Sequence, residues 1–200
     1  MPKQRITREM VVDAAFEIAR SEGMEQVMVK TIAERLHCSV QPIYSYCQNM
    51  EGLRKAVIEQ TNAFIREYVA KRIDKDNLFQ SSGQAYIQLA KEEPHLYKLF
   101  ILHERSDISS LQDLYEKHSS PHMAQAISTL CGIDKEAAKQ LHLHMLIYTI
   151  GIGTIFAVSK PGIAPDEIYA QQEEAYQAFL DHAINHKENV KLKKESFVIA

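Results

Sequence analysis

Two short helical patterns separated by only a few residues constrain this chain more than any other feature. Thr31-Ile32-Ala33-Glu34-Arg35-Leu36 reads as the first. The second lies between Ser39 and Leu53. There a small polar residue able to cap a helix precedes a short helix bearing Tyr44 and Tyr46, and a polar break with a new helix start at Asn49 follows. Two short helices joined by a tight turn are a means of presenting the second helix to the major groove of DNA.

The flanking sequence is helical as well. Thr7 is a good N-cap, and Glu9 falls in the first turn, where a negative charge suits the helix dipole. Val11, Ala14, Ala15 and Ile18 then follow the spacing of a helix face packed on a core, and Gly23 stops the helix. The next helix is predicted over residues 30–37, burying Ile32, Ala33 and Leu36. With Ser39 as cap, Pro42 is the third helical residue, where its missing N–H would be unpaired anyway. Ile43 and Cys47 should face inward with Val40 partly so, Gln41, Ser45 and Tyr46 outward, and Tyr44 should sit at the boundary.

A long fourth helix is predicted from about residue 51 towards 72. Further helices follow over 81–92, 94–104, 109–118 continuing to 130, 135–158 and 166–184. Pro94, Pro121, Pro161 and Pro165 punctuate them, and residues 187–194 form a basic tail without clear periodicity. No alternation of period two is sustained, and the seven glycines and six prolines are few. The expected fold is all-α: a helix-turn-helix domain over residues 1–50 and a larger helical domain over 51–200.

Composition narrows the function classes. Of the 200 residues, 46% are hydrophobic and 24% charged, which is ordinary for a soluble globular chain. No apolar run approaches the ~20 residues that span a bilayer, and Met1-Pro2-Lys3-Gln4-Arg5 leads into no apolar signal region. A cytoplasmic protein without a membrane partner is therefore expected. Three cysteines are too few for a disulfide framework, and at 1.5 Å per residue Cys38 and Cys47 lie about 13 Å apart. The net charge is −3, and the first 60 residues hold eight Lys or Arg against eight Asp or Glu. Lys3, Arg5 and Arg8 precede any acid and form a basic cluster suited to a phosphate-contacting arm or to a solvated tail.

No GxGxxG, P-loop, HExxH, CxxC or GxSxG pattern occurs, so no enzyme is expected. His142 and His144 point to different faces of a helix, and Pro121 separates His118 from His122. No metal and no cofactor is expected. Cys131 reads as a small buried hydrophobe, with a thiol sensor as the other reading. Met123, Met145, Tyr86, Tyr97, Phe100, Phe156 and Tyr176 read as core residues or as the lining of a ligand cavity.

Residues 6–60 resemble the N-terminal domain of the TetR family of transcriptional regulators. The likeness rests on Asp13-Ala14-Ala15-Phe16-Glu17-Ile18 followed by Gly23, on Ile32-Ala33-Glu34, and on Ser39 five residues before Tyr44. Tyr46, Asn49, Glu51 and Leu53 complete it. The resemblance implies that the third helix enters the major groove, with Val40, Gln41 and Pro42 at base edges and Tyr44 and Tyr46 on phosphates. It also assigns Lys30, Thr31, Ser39 and Ser45 to the DNA-binding set. Glutamine can pair bidentately with adenine, and Val or Pro can press on a thymine methyl. Packing against the core is the other reading of Tyr44. The sequence departs from the family at Met50, where a phosphate-contacting lysine is usual, at Cys47 in place of an aromatic, and at Met28 in place of a capping Ser or Thr. No Lys or Arg lies between Leu36 and Leu53. A flatter salt dependence of DNA binding is expected in consequence.

For the second domain the resemblance implies a small-molecule effector site and a homodimer built on the last two long helices, bound to a palindromic operator. Leu141, Met145, Tyr148 and Ile152 form an apolar stripe, and Gly151 and Gly153 would admit a close helix, either a partner's or the chain's own.

Overall fold

The helical periodicities of the sequence become helices in the computed structural model, which describes residues 6–46, 50–74, 76–102, 108–120, 122–159 and 161–198, with side chains to residue 185. Lys3, Arg5, Cys47, Asn49, Pro121 and the side chains of the basic stretch 187–194 lie outside the described residues. In chain order the helices are α1 (Arg8–Glu22), α2 (Val29–Arg35), α3 (Val40–Tyr46), α4 (Met50–Ala70), α5 (Leu78–Glu92), α6 (Pro94–Ile101), α7 (Leu111–His118), α8 (Met123–Cys131), α9 (Lys135–Ser159) and α10 (Pro165–Val198). A 3-10 turn, Met24–Gln26, follows α1, and no strand occurs among the described residues. The fold is all-α with a helix-turn-helix near its N-terminus.

By internal contacts the described residues divide into two units. Unit 1 lies within Met1–Ile73, Gln88–His103 and Gly153–Lys160, and unit 2 within Asp74–Ile87, Glu104–Ile152 and Pro161–Ala200. Unit 1 is built on the predicted stripe: Val11, Ala14, Ala15 and Ile18 are buried with Val27, Ile32, Ala33, Ile43, Leu53 and Val57. Each large aliphatic side chain there contributes roughly 1.5–3 kcal/mol by leaving water. The Thr7 hydroxyl accepts from the Met10 N–H at 3.3 Å, so α1 begins where its cap predicts. It ends at Gly23, whose φ of 102° glycine tolerates and other residues do not.

Unit 2 packs Phe79, Ile127, Ile133, Ala138, Leu141 and Met145 together, with Met123, Cys131, Tyr176, Phe179 and Leu180 against them. The predicted continuous helix over 109–130 is instead two helices, α7 and α8, separated by an extended residue at Ser119. At the far end, α10 runs through the stretch read as a tail. Length and composition alone would let α9 cross a membrane, a property the run-length criterion missed because His142, His144 and Thr149 interrupt the apolar residues. Ala138, Leu141, Met145, Phe156 and Ala157 of this helix are buried within the protein, whereas Ile147, Ile155 and Val158 are exposed.

Candidate nucleic-acid interface

The turn between α2 and α3 is closed by backbone bonds. The Cys38 N–H donates to the Ala33 carbonyl at 3.0 Å and the His37 N–H to the Glu34 carbonyl at 3.1 Å. With His37 at φ 50°, this is the paired closure that ends a helix on a left-handed residue. Glycine is the usual occupant. Histidine is among the non-glycine residues enriched there, and it carries no turn signal in the sequence.

One turn further on, α3 sorts its side chains. Ile43 is fully buried in the unit 1 core. Tyr46, predicted to face outward, is half-buried and packs against that same core, because the i, i+3 relation to Ile43 puts both on one face. Tyr44, predicted at the boundary, is 64% exposed, so the packed reading of this residue is overturned. Val40 is 43% exposed, Gln41 and Ser45 are exposed, and Pro42 is half-buried. Val40, Gln41, Tyr44 and Ser45 therefore form one outward surface. The Ser45 hydroxyl donates to the Gln41 carbonyl at 3.1 Å, so its proton is engaged within the helix. Ser39 is exposed directly ahead of α3.

The start of α2 is capped from the opposite side to the usual one. Met28 occupies the N-cap and is exposed. Thr31 compensates: its hydroxyl accepts from the Met28 N–H at 3.1 Å and lies 2.7 Å from the Gln26 carbonyl. Thr31 thus has a structural task that the sequence reading did not assign to it. Lys30 is largely exposed, with its ammonium 3.9 Å from the Glu34 carboxylate one helical turn away. Such an exposed pair contributes little to stability and leaves the lysine available to an anion.

Behind this surface, α1 and α4 are tied to the α5–α6 corner by two adjacent carboxylates. Glu93 takes two hydrogen bonds from the Arg20 guanidinium, one of them from Nε at 2.9 Å, and Arg20 also lies 4.9 Å from the Phe64 ring centroid. Glu92 accepts from the Tyr68 hydroxyl at 2.5 Å, and Arg72 stacks 3.5 Å from the Tyr68 ring. Burial and the Glu92 carboxylate push the Tyr68 hydroxyl well above its ordinary pKa, so it stays a proton donor. The Tyr68–Glu92 and Arg20–Glu93 partnerships could not be read from sequence spacing, since they span 24 and 73 residues.

The glycines of α9 separate into two kinds. A Cβ on Gly153 would lie 2.2 Å from the Tyr97 hydroxyl oxygen, so the close approach there is made by the chain's own α6. A Cβ on Gly151 would meet nothing within 4 Å. Leu141 and Met145 of the predicted partner-facing stripe are buried in unit 2. The apolar side chains that α9 does expose are Ile147, Ile155 and Val158.

The chain is similar to an uncharacterised helix-turn-helix transcriptional regulator, YobS, of Bacillus subtilis (strain 168). The two are 25% identical over 104 residues, which cover 50% of this chain and 54% of the relative. The chain thus spans about half the length of the curated relative that it matches. No protein-family model matches it.

Proposed function

We propose that the protein is a TetR-type transcriptional regulator that binds a palindromic operator as a homodimer and acts as a repressor whose DNA occupancy a small-molecule effector alters. The observation that carries this reading is the outward surface of Val40, Gln41 and Tyr44 on the second helix of a helix-turn-helix. The likeness to a helix-turn-helix regulator supports it. Residues 1–50 are the DNA-binding domain, and 51–200 hold the effector and dimer functions. Neither a catalytic group nor a cofactor takes part, and the protein works in the cytoplasm without a membrane partner. Exposed Ile147, Ile155 and Val158, with open Gly151 among them, are the dimer-facing set on α9.

The test is titration of the purified protein onto DNA from upstream of its own gene, with unrelated competitor present and Gln41→Ala and Tyr44→Ala alongside. Both side chains are exposed, so a loss of binding in these variants reports the interface and not the fold. Tight binding that resists competitor and falls in both variants supports the regulator. A monomer in sedimentation at working concentration would sink the palindrome model. The stretch from His37 to Gly52, which holds no Lys or Arg, favours one rival, a helical interaction protein that has given up DNA. Binding no better than competitor, restored by Met50→Lys, would favour that rival. For the regulator, log K against log salt should be shallow, since each missing phosphate contact removes roughly 0.9 from the slope.

A further inference from the structure

The recognition surface itself restricts which bases it can read. The commonest specific base contact is a bidentate bond from Arg or Lys to the O6 and N7 of guanine. On α3 and the turn before it, residues 36–46, there is neither Arg nor Lys. Lys30 belongs to α2 and has Glu34 beside it. Ser45 has committed its proton to the Gln41 carbonyl. Gln41 is exposed in the first turn of α3, the part of a recognition helix that meets base edges, and its carboxamide has the paired donor and acceptor that match adenine N7 and N6. Val40 is its neighbour and exposes an isopropyl group of the kind that packs on a thymine methyl. Tyr44, three residues on, shares the Gln41 face and extends it away from the first turn.

We propose that this protein reads a half-site whose α3-contacted core is made of A·T pairs: an adenine paired by Gln41 and an adjacent thymine whose methyl group meets Val40, with no guanine read from α3. The proposal rests on the DNA-binding reading above and adds the class of sequence bound.

Selection of bound duplexes from a randomised library, followed by base-analogue substitution in the winning sequence, tests it. Wild type should enrich two adjacent A·T pairs in each half-site. Replacing the contacted adenine with 7-deazaadenine removes the N7 acceptor, and affinity should fall several-fold. Deoxyuridine in place of the thymine removes only the methyl group, and affinity should again fall several-fold in wild type but not in Val40→Ser. Gln41→Arg should move the preference at its position from adenine to guanine by roughly tenfold or more. An enriched guanine core that Gln41→Arg leaves unchanged would overturn the proposal while leaving DNA binding intact. Failure to enrich any sequence would overturn both this proposal and the regulator reading.

Discussion

The two units bury polar side chains in different ways. In unit 1 the buried polar residue among the described residues is Thr61, whose hydroxyl donates at 2.9 Å to the Val57 carbonyl of its own helix. It ties nothing to anything else. Unit 2 buries His142, Thr149 and Gln172. His142 of α9 stands edge-on to Phe79 and Tyr115 and lies 3.3 Å from the Tyr115 hydroxyl of α7. Gln172 of α10 donates to Thr149 of α9 at 3.3 Å. In unit 1 the bonds of Arg20 and Arg72 lie at the rim, where both reach solvent; unit 2 has a rim bond of its own, from the Tyr148 hydroxyl to the Gln171 carbonyl, and adds the interior ones. Interior polar bonds fix which helices pair, at the cost of sensitivity to anything that changes their charge or geometry.

Acid gives the largest expected separation between the units. Burial lowers the pKa of His142 from 6.5 to about 4. Between those values the unfolded chain binds a proton that the folded one refuses, so stability falls as pH drops from about 6.5 to 4. The linked loss is about 3 kcal/mol. Urea unfolding across that range should show it, and His142→Phe should remove this part of the slope. Hydrogen exchange should place the loss in unit 2. Equal early loss of protection in unit 1 would break the comparison.

The rim of unit 1 should give a smaller, pH-insensitive effect near neutrality. Arg20→Ala leaves the mostly buried Glu93 carboxylate without its fork, while the arginine itself is 36% exposed. A loss of roughly 1–2 kcal/mol follows. Arg20→Lys should recover only part of it, because an ammonium cannot make the planar two-point contact. Full recovery in a denaturant titration would show that charge alone matters.

Two glycines sharpen the contrast within unit 2. A Cβ at Gly83 would lie 2.4 Å from the Gln172 Nε2, so Gly83→Ala should displace the buried amide and destabilise by about 1 kcal/mol. At Gly151 there is open space within the chain itself, and at concentrations where the chain is monomeric Gly151→Ala should stabilise by up to about 1 kcal/mol through helix propensity. Thermal melts that moved both variants in the same direction would refute the distinction. The smallest effect is expected at the turn of unit 1. His37→Gly relieves a left-handed residue but loosens the unfolded chain, for a net gain of a few tenths of a kcal/mol. A clear loss of melting temperature would mean that the histidine side chain contributes there.

Much of unit 1 was legible because local rules agree with one another there. The Thr7 cap, the Val11 to Ile18 stripe and the Gly23 stop all describe α1, and none needs a distant partner. The α2–α3 pair was legible for the same reason. Its details were less so. Tyr44 and Tyr46 exchange their predicted environments, because the burial of each depends on which face the Ile43 anchor selects. Outside unit 1, the break between α7 and α8 was not readable in advance, and within unit 1 neither was the glycine that faces Tyr97.

The sequence by itself determined that the chain is helical, where most helices start and stop, and that two short ones make a helix-turn-helix. Periodicity, capping and proline placement act within a few residues and so are written in order along the chain. Only the tertiary structure decided which side chain of α3 points to solvent, that Glu92 and Glu93 hold α4 and α1, and that His142 and Gln172 are interior. The carboxylate and interior pairings join partners 23 to 73 residues apart, and a pairing at that distance is set by how the helices pack, not by their spacing.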